Sequence, residues 1–274
     1  MIESMTRPLI IAGPCAAENM DQIDASIREV KAREIPIMRA SIVKPRTKNE
    51  WDGVGTEEGI PMLKRISEAG LIPATEVLDI DEAKELVDGV LGQDEGSIML
   101  WTGARNQNHR LQRDLGRLAV SDTRVIVGAK NQPWTGPDQE KHFRGIISHI
   151  SDGGGLERSK ILMIHRGFAA DDNSGFRNRP DYDMALRIKE DEGIQMLLDP
   201  SHIGGTQDKV IQVAQEGMRF ARSGVIFDGM MIEVHPDPNI AVTDVKQQLS
   251  WTEYDQHIVP LISPRRELAT AAAD

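Results

Sequence analysis

Short apolar runs recur along the chain, each followed by a longer amphipathic stretch. The runs are Leu9–Gly13, Ile35–Ala40, Ile72–Glu76, Ile98–Gly103, Arg124–Ala129, Ile161–His165, Ile194–Asp199 and Gly229–Val234. They are rich in Ile, Val, Leu and Met and do not alternate strictly with polar residues. That pattern predicts strands buried on both faces, as in a parallel sheet. Between them, Met20, Ile23, Ile27 and Val30 recur at helical spacing, as do Ile60, Leu63 and Ile66. For the second of these helices Thr56 is the expected N-cap and Gly70 the expected stop. Five more helical stretches cover Asp81–Val87, Leu111–Val120, Phe143–Ile150, Met184–Ile188 and Val210–Phe220, and a last one is expected within Gln247–Ile262. Eight strands alternating with eight helices predict a single α/β domain over residues 1–274, a (β/α)8 TIM barrel. A doubly wound open sheet is weakened by the lack of G-x-G-x-x-G after the first strand. With few residues before the first strand and a short Ala-rich tail, no added regulatory domain is expected.

Composition narrows the function. Lys and Arg total 32 against 43 Asp and Glu, a net charge of −11, which argues against a nucleic-acid binder. No apolar run is long enough for a membrane span, and Met1 to Pro8 has no signal-peptide core. The one cysteine, Cys15, excludes an internal disulfide and suits a reducing cytoplasm. A homo-oligomer, dimer or tetramer, is the expected assembly.

In a barrel of this kind the chemistry lies just beyond the C-terminal strand ends. Two sets of residues fall there. Cys15, His202, Glu233 and Asp244 form a mixed N/O/S set suited to Mn, Fe, Co or Zn. A small buried cysteine, a loop histidine and ordinary solvated acids would give the same letters, and spacing alone leaves both readings open. The second set is Arg39, Lys44, Arg46, Arg105, Lys130 and Arg166. Cations gathered at one end of an acidic protein are either paired with acids or hold a multiply charged anion. Arginine's bidentate grip favours the anion, a small phosphorylated acid with a phosphorylated partner. Gly153–Gly155 lacks the Lys-Ser/Thr of a phosphate loop and reads as a turn. Trp51, Trp101 and Trp134 read as packing groups. His165 reads either as a core histidine or as a substrate contact, and His235 as a neighbour of the site.

The strand-end segments Gly13-Pro14-Cys15, Lys44-Pro45-Arg46-Thr47, Gly103-Ala104-Arg105, Lys130, His165-Arg166-Gly167, Asp199-Pro200-Ser201-His202 and Glu233-Val234-His235-Pro236 with Asp244 occur in the order of a known family. Together they resemble 3-deoxy-7-phosphoheptulonate (DAHP) synthase. The related octulosonate 8-phosphate synthases usually carry Ala-Asn-Arg-Ser in place of the KPRT motif, and many lack the metal cysteine. The resemblance implies a metal-dependent transferase of the shikimate pathway that condenses phosphoenolpyruvate with erythrose 4-phosphate and releases phosphate. It implies a divalent metal, Mn first and Co, Fe or Zn after it, on Cys15, His202, Glu233 and Asp244. It implies phosphoenolpyruvate on Arg39, Lys44, Arg105, Lys130 and Arg166, and the aldose phosphate on Arg46 and Thr47. Lys44, Lys130 and His202 are the expected catalytic groups. The loops Lys48–Trp51 and Asn131–Trp134 depart from the family pattern and are expected to shape the aldehyde pocket. Another aldose phosphate or a specialised aldehyde is the alternative acceptor. A catalytically silent barrel acting as a regulatory partner ranks lowest, because every ligand and cation position is filled.

Overall fold

The computed structural model describes residues 7–44, 51–170 and 174–263. Eight parallel strands close on themselves: β1 (Leu9–Gly13), β2 (Ile37–Arg39), β3 (Ile72–Glu76), β4 (Ile98–Thr102), β5 (Val125–Lys130), β6 (Ile161–His165), β9 (Gln195–Leu198) and β10 (Gly229–Glu233). Their boundaries fall within two residues of the expected runs. The ring is sealed by β1 on β10, with Leu9 opposite Gly229 and Gly13 opposite Glu233. Gly229 is required at that seam, because a Cβ there would meet the Leu9 carbonyl oxygen at 1.8 Å. Two short strands, β7 (Phe168–Ala169) and β8 (Asn178–Arg179), form an antiparallel pair above the sixth barrel strand. The sequence pattern does not show them, since two-residue strands carry no period.

The helices outside the ring are α1 (Met20–Ala32), α2 (Gly55–Glu68), α3 (Ile80–Leu91), α4 (His109–Ser121), α5 (Gln139–Ile150), α6 (Tyr182–Glu192), the single turn α7 (Pro200–Gly204) and α8 (Gln207–Arg219). In α1 the Asn19 side chain accepts from the Gln22 N–H, and Ile23, Ile27 and Val30 turn inward. In α3, Asp79 caps by accepting from the Asp81 and Glu82 N–H groups. The expected Thr56 cap is not used: α2 begins at Gly55 behind Val54, with no side-chain cap. Its start is fixed instead by pairing of Val43 with Gly53 and by the Gly55 N–H donating to the Ile42 carbonyl.

Two apolar layers result. Leu9, Ile11, Ile37, Ala74, Met99, Trp101, Leu162, Ile164, Leu197 and Met231 fill the inside of the ring. A larger layer, including Ile10, Leu63, Leu86, Leu115, Ile147 and Val213, packs strands against helices. The inside of the ring is therefore filled by side chains and is not a pore. The last helical stretch starts later than the pattern suggests. Ser250 and Glu253 form a capping box that begins α9 (Trp251–Glu253), and a π-helical turn, Tyr254–Ile258, leads into α10 (Val259–Ile262). Gln247 to Leu249 stay outside that helix, because Leu249 pairs with the chain beyond β10 at Glu233 and His235.

Candidate active site

Cys15 follows β1 directly, and Gly13 makes the turn. Its φ is +147°, and a Cβ there would lie 2.3 Å from the Arg39 carbonyl oxygen. Glu233 ends β10, where its N–H donates to Ser201 Oγ at 2.9 Å. Asp244 sits in the loop beyond, with φ +48°. The donor atoms of Cys15, Glu233 and Asp244 all lie within 4.8 Å of one another. Cys15 Sγ donates to Asp244 Oδ2 at 3.1 Å. His202, on α7, brings its Nε2 to 3.8 Å from Glu233 Oε1. Three of the four predicted ligands therefore form one cluster, across up to 229 positions of sequence, and His202 approaches it at Glu233.

Their surroundings suit a cation. His202 Nδ1 faces Asp199, 3.1 Å from Oδ1 and 2.9 Å from Oδ2, so the ring is held with Nε2 turned toward Glu233. Burial lowers the His202 pKa to about 4, so its imidazole is neutral near pH 7. Burial also pushes the Cys15 thiol up, helped by Glu233. Glu233 Oε1 is fully buried yet has no hydrogen-bond partner among the described residues. It lies 3.0 Å from Arg39 Nη2, an ion pair without hydrogen-bond alignment. One thiol, one oriented imidazole, two carboxylates and an unsatisfied oxygen aimed between them fit a divalent first-row ion.

The predicted cations divide. Arg39 is buried and tied to Glu233 and to the Pro14 and Cys15 carbonyls, with Nη1 left without a hydrogen-bond partner among the described residues. Lys130 Nζ is 2.7 Å from Asp199 Oδ2, both side chains buried. Lys44 is half-buried; burial lowers its pKa, but Cys15, Glu233 and Asp244 raise it by more. Arg166 is 6% exposed. Its Nη1 donates to Asn178 Oδ1 at 2.8 Å, and its Nε has no partner among the described residues. Burial lowers its pKa to about 10, with Arg177 and Arg105 adding to the effect and Asp199 opposing it. Arg105 is exposed at the rim. Among the described residues, acids pair with Arg39 and Lys130, while Arg166 has the charges of Asp199, Arg177 and Arg105 around it. Arg46 and Thr47 lie outside the described residues.

Several residues join the site that the sequence reading did not select. Asp199 connects Lys130 to His202. Asn131 accepts from the Arg166 N–H at 2.8 Å, and Asn178 donates to the His202 carbonyl at 2.6 Å. Gln248 accepts from the Cys15 N–H at 2.9 Å, and Gln247 donates to Glu233 Oε2 at 2.6 Å. Asp199 lies within the motif already quoted; the amides carry no charge that singles them out. Trp101 is packed inside the ring as expected, and the Arg39 guanidinium carbon and Lys130 Nζ stand 5.6 and 5.9 Å from its ring centre. His165 is a core histidine. It is packed among Phe143, Phe168, Tyr182 and Phe227, and its Nε2 accepts from the Asp181 N–H. His235 points away, toward Gln22 and Glu18.

Comparison with known proteins agrees with the barrel fold. A phospho-2-dehydro-3-deoxyheptonate aldolase of Thermotoga maritima is 27% identical over 267 residues, covering 96% of this chain and 70% of the relative. A 2-dehydro-3-deoxyphosphooctonate aldolase of Shewanella sediminis is 24% identical over 72% of this chain, which spans 64% of that relative. The crystal structure of the Thermotoga maritima DAHP synthase superposes with a TM-score of 0.77 at 26% identity, over 92% of this chain and 67% of that one. An N-acetylneuraminic acid synthetase from Leptospira borgpetersenii shares the fold at 11% identity and a TM-score of 0.64. The sequence model of the DAHP synthetase I family matches residues 3–261, and the chain belongs to that family.

Proposed function

We propose that the chain condenses phosphoenolpyruvate with erythrose 4-phosphate at the C-terminal mouth of the barrel, with a divalent metal ion on Cys15, His202, Glu233 and Asp244. The observation that carries this reading is Glu233 Oε1. It is a buried carboxylate oxygen without a hydrogen bond among the described residues, placed near a thiol, an imidazole and a second carboxylate. Mn²⁺ is the first choice, with Co, Fe and Zn chemically admissible. Such an ion, when bound, supplies Lewis-acid polarisation of the aldehyde oxygen.

The chain's own residues account for the rest. Arg166, Arg105, Lys44 and Lys130 hold the carboxylate and phosphate of phosphoenolpyruvate and fix its C3 near the aldehyde. C3 attacks the aldehyde carbon and a C–C bond forms. Water adds at C2, its C–O bond to the phosphate breaks, and inorganic phosphate leaves behind a ketone. In this reading Lys130, whose Nζ lies 2.7 Å from Asp199 Oδ2, moves a proton during these steps. His202 is kept neutral and oriented by Asp199. Arg46 and Thr47 take the aldose phosphate.

The single cysteine supports a cytoplasmic setting. Exposed Ile240, Val242 and Val245, close together beyond β10, support self-association as a dimer or tetramer. The deciding experiment is phosphate release from phosphoenolpyruvate with Mn²⁺ and a panel of aldehydes. Release with erythrose 4-phosphate above five-carbon aldose phosphates and unphosphorylated aldehydes is the expected result. Preference for another aldehyde would move the acceptor, and no release with any would remove the reading.

A further inference from the structure

Each candidate metal carboxylate has one oxygen tied outward and one turned inward. Glu233 Oε2 accepts from Gln247 Nε2 at 2.6 Å, while Oε1 lies 3.0 Å from Arg39 Nη2 and 3.8 Å from His202 Nε2 and carries no hydrogen bond among the described residues. Asp244 Oδ1 lies 3.3 Å from Arg177 Nη1, while Oδ2 faces Cys15 Sγ at 3.1 Å. The two outward ties meet. Gln247 Oε1 accepts from the same Arg177 Nη1 at 2.5 Å. Gln247 is 2% exposed, so this amide has few other partners to choose from.

We infer that Gln247 and Arg177 are positioning residues. They form one bracket that fixes the rotation of both carboxylates, so that Glu233 Oε1 and Asp244 Oδ2 face the ion together with Cys15 Sγ. The inference rests on the metal reading above. Its physical basis is that a carboxylate turns about its last torsion at little cost. One short charge-assisted hydrogen bond to a single oxygen removes that freedom before the ion arrives. The amide suits the inner position. It donates to Glu233 and accepts from Arg177, so it passes the arginine's hold to a buried acid without bringing a third charge beside it. Arg177 comes from the segment that enters β8, and Gln247 from the loop that stays outside the last helix.

The test uses Co²⁺, which reports thiolate coordination by its sulfur-to-metal charge-transfer absorption, and a competing chromophoric chelator to measure affinity. Wild-type protein should show the band; its absence would remove the metal reading itself and the inference with it. Given the band, Gln247→Leu should weaken Co²⁺ binding about 10–100-fold and change the visible ligand-field spectrum. Arg177→Met should weaken it in the same direction. Arg177→Lys, which keeps a donor, should recover part of the loss. Arg177 is one-third exposed, so its variants keep the test open if Gln247→Leu does not fold. Folded variants with wild-type Co²⁺ affinity and spectrum, even with a lowered melting temperature, would overturn the inference.

Discussion

Arg39 Nη2 lies 3.0 Å from Glu233 Oε1, with the two side chains 1% and 0% exposed. The pair joins the second strand to the last across the inside of the barrel. Burial alone would raise the Glu233 pKa, but Arg39 and His202 outweigh it and hold the carboxyl below its usual range. Removing the arginine leaves a buried charge without its counterion, which costs about 3–5 kcal/mol. Arg39→Met should therefore lose stability of that order in urea unfolding. Arg39→Met with Glu233→Gln should recover part of it. A double variant no more stable than the single would show that the charge is not what the arginine answers.

Cys15→Ala removes the one sulfur donor. Cobalt-loaded protein should then lose its charge-transfer band, and phosphate release should need a higher Mn²⁺ concentration. In the wild type, a strong chelator should abolish release and added Mn²⁺ should restore it. Undiminished turnover in exhaustively metal-free protein would contradict the ligand assignment.

Arg166 is buried with the charges of Asp199, Arg177 and Arg105 around it, and its Nη1 donates to the neutral Asn178 side chain. An anion arriving there gains a full charge-assisted contact. Arg166→Ala should lower kcat/KM for phosphoenolpyruvate by about 30- to 1000-fold, equal to roughly 2–4 kcal/mol. Asn178→Ala should give a smaller loss, since the guanidinium remains but is free to turn. Near-normal steady-state constants for Arg166→Ala would place the anion elsewhere.

His165 sets a pH dependence of stability. Burial, with a smaller contribution from Arg166, lowers its pKa to about 3. The unfolded chain's imidazole titrates near ~6.5. Between those values the unfolded state binds more protons, so the stabilisation is complete above the upper value and is lost as pH falls. The slope for one group approaches about 1.4 kcal/mol per pH unit. His165→Phe cannot take up that proton. Its urea midpoint should fall less than the wild type's between pH 6.5 and 4.5. Parallel curves would assign the acid sensitivity to other groups.

Arg46 follows Lys44 by two residues, and its role rests on the family motif. Arg46→Ala should raise KM for erythrose 4-phosphate and leave phosphoenolpyruvate affinity nearly intact. It should also lower kcat, because remote binding energy helps position the carbonyl. An unphosphorylated aldehyde should be indifferent to the change. Equal loss with both aldehydes would detach Arg46 from the phosphate.

The ring of strands was legible because each strand is buried on both faces and reads as an unbroken apolar run. The charged site residues were legible because a barrel puts strand ends at one mouth. The amides escaped notice for a physical reason. Gln247 falls in a stretch with helical letters, and only the pairing of Leu249 beside Glu233 and His235 keeps it out of the helix. Asn178 stands in a two-residue strand that has no period. The pairing of Arg39 with Glu233 and of Lys130 with Asp199 was equally hidden, since the acids arrive from strands far away in sequence. Those pairs give Arg39 and Lys130 a neutralising partner inside the protein, beside the anion role the sequence suggested.

The seam between β1 and β10 has a consequence for assembly. Cys15 belongs to the first strand's exit, while Glu233 and Asp244 belong to the last strand's exit, so the donors meet only once the first and last strands have paired. A chain emerging from the ribosome completes Arg166 long before it can bring the proposed metal ligands together. An ion that binds there fastens the two ends of the ring, and at a hundred times its dissociation constant would add about 2.7 kcal/mol against opening. The metal centre would then act as a clasp as well as a reagent, and metal-starved protein should open first along this one line between neighbouring strands.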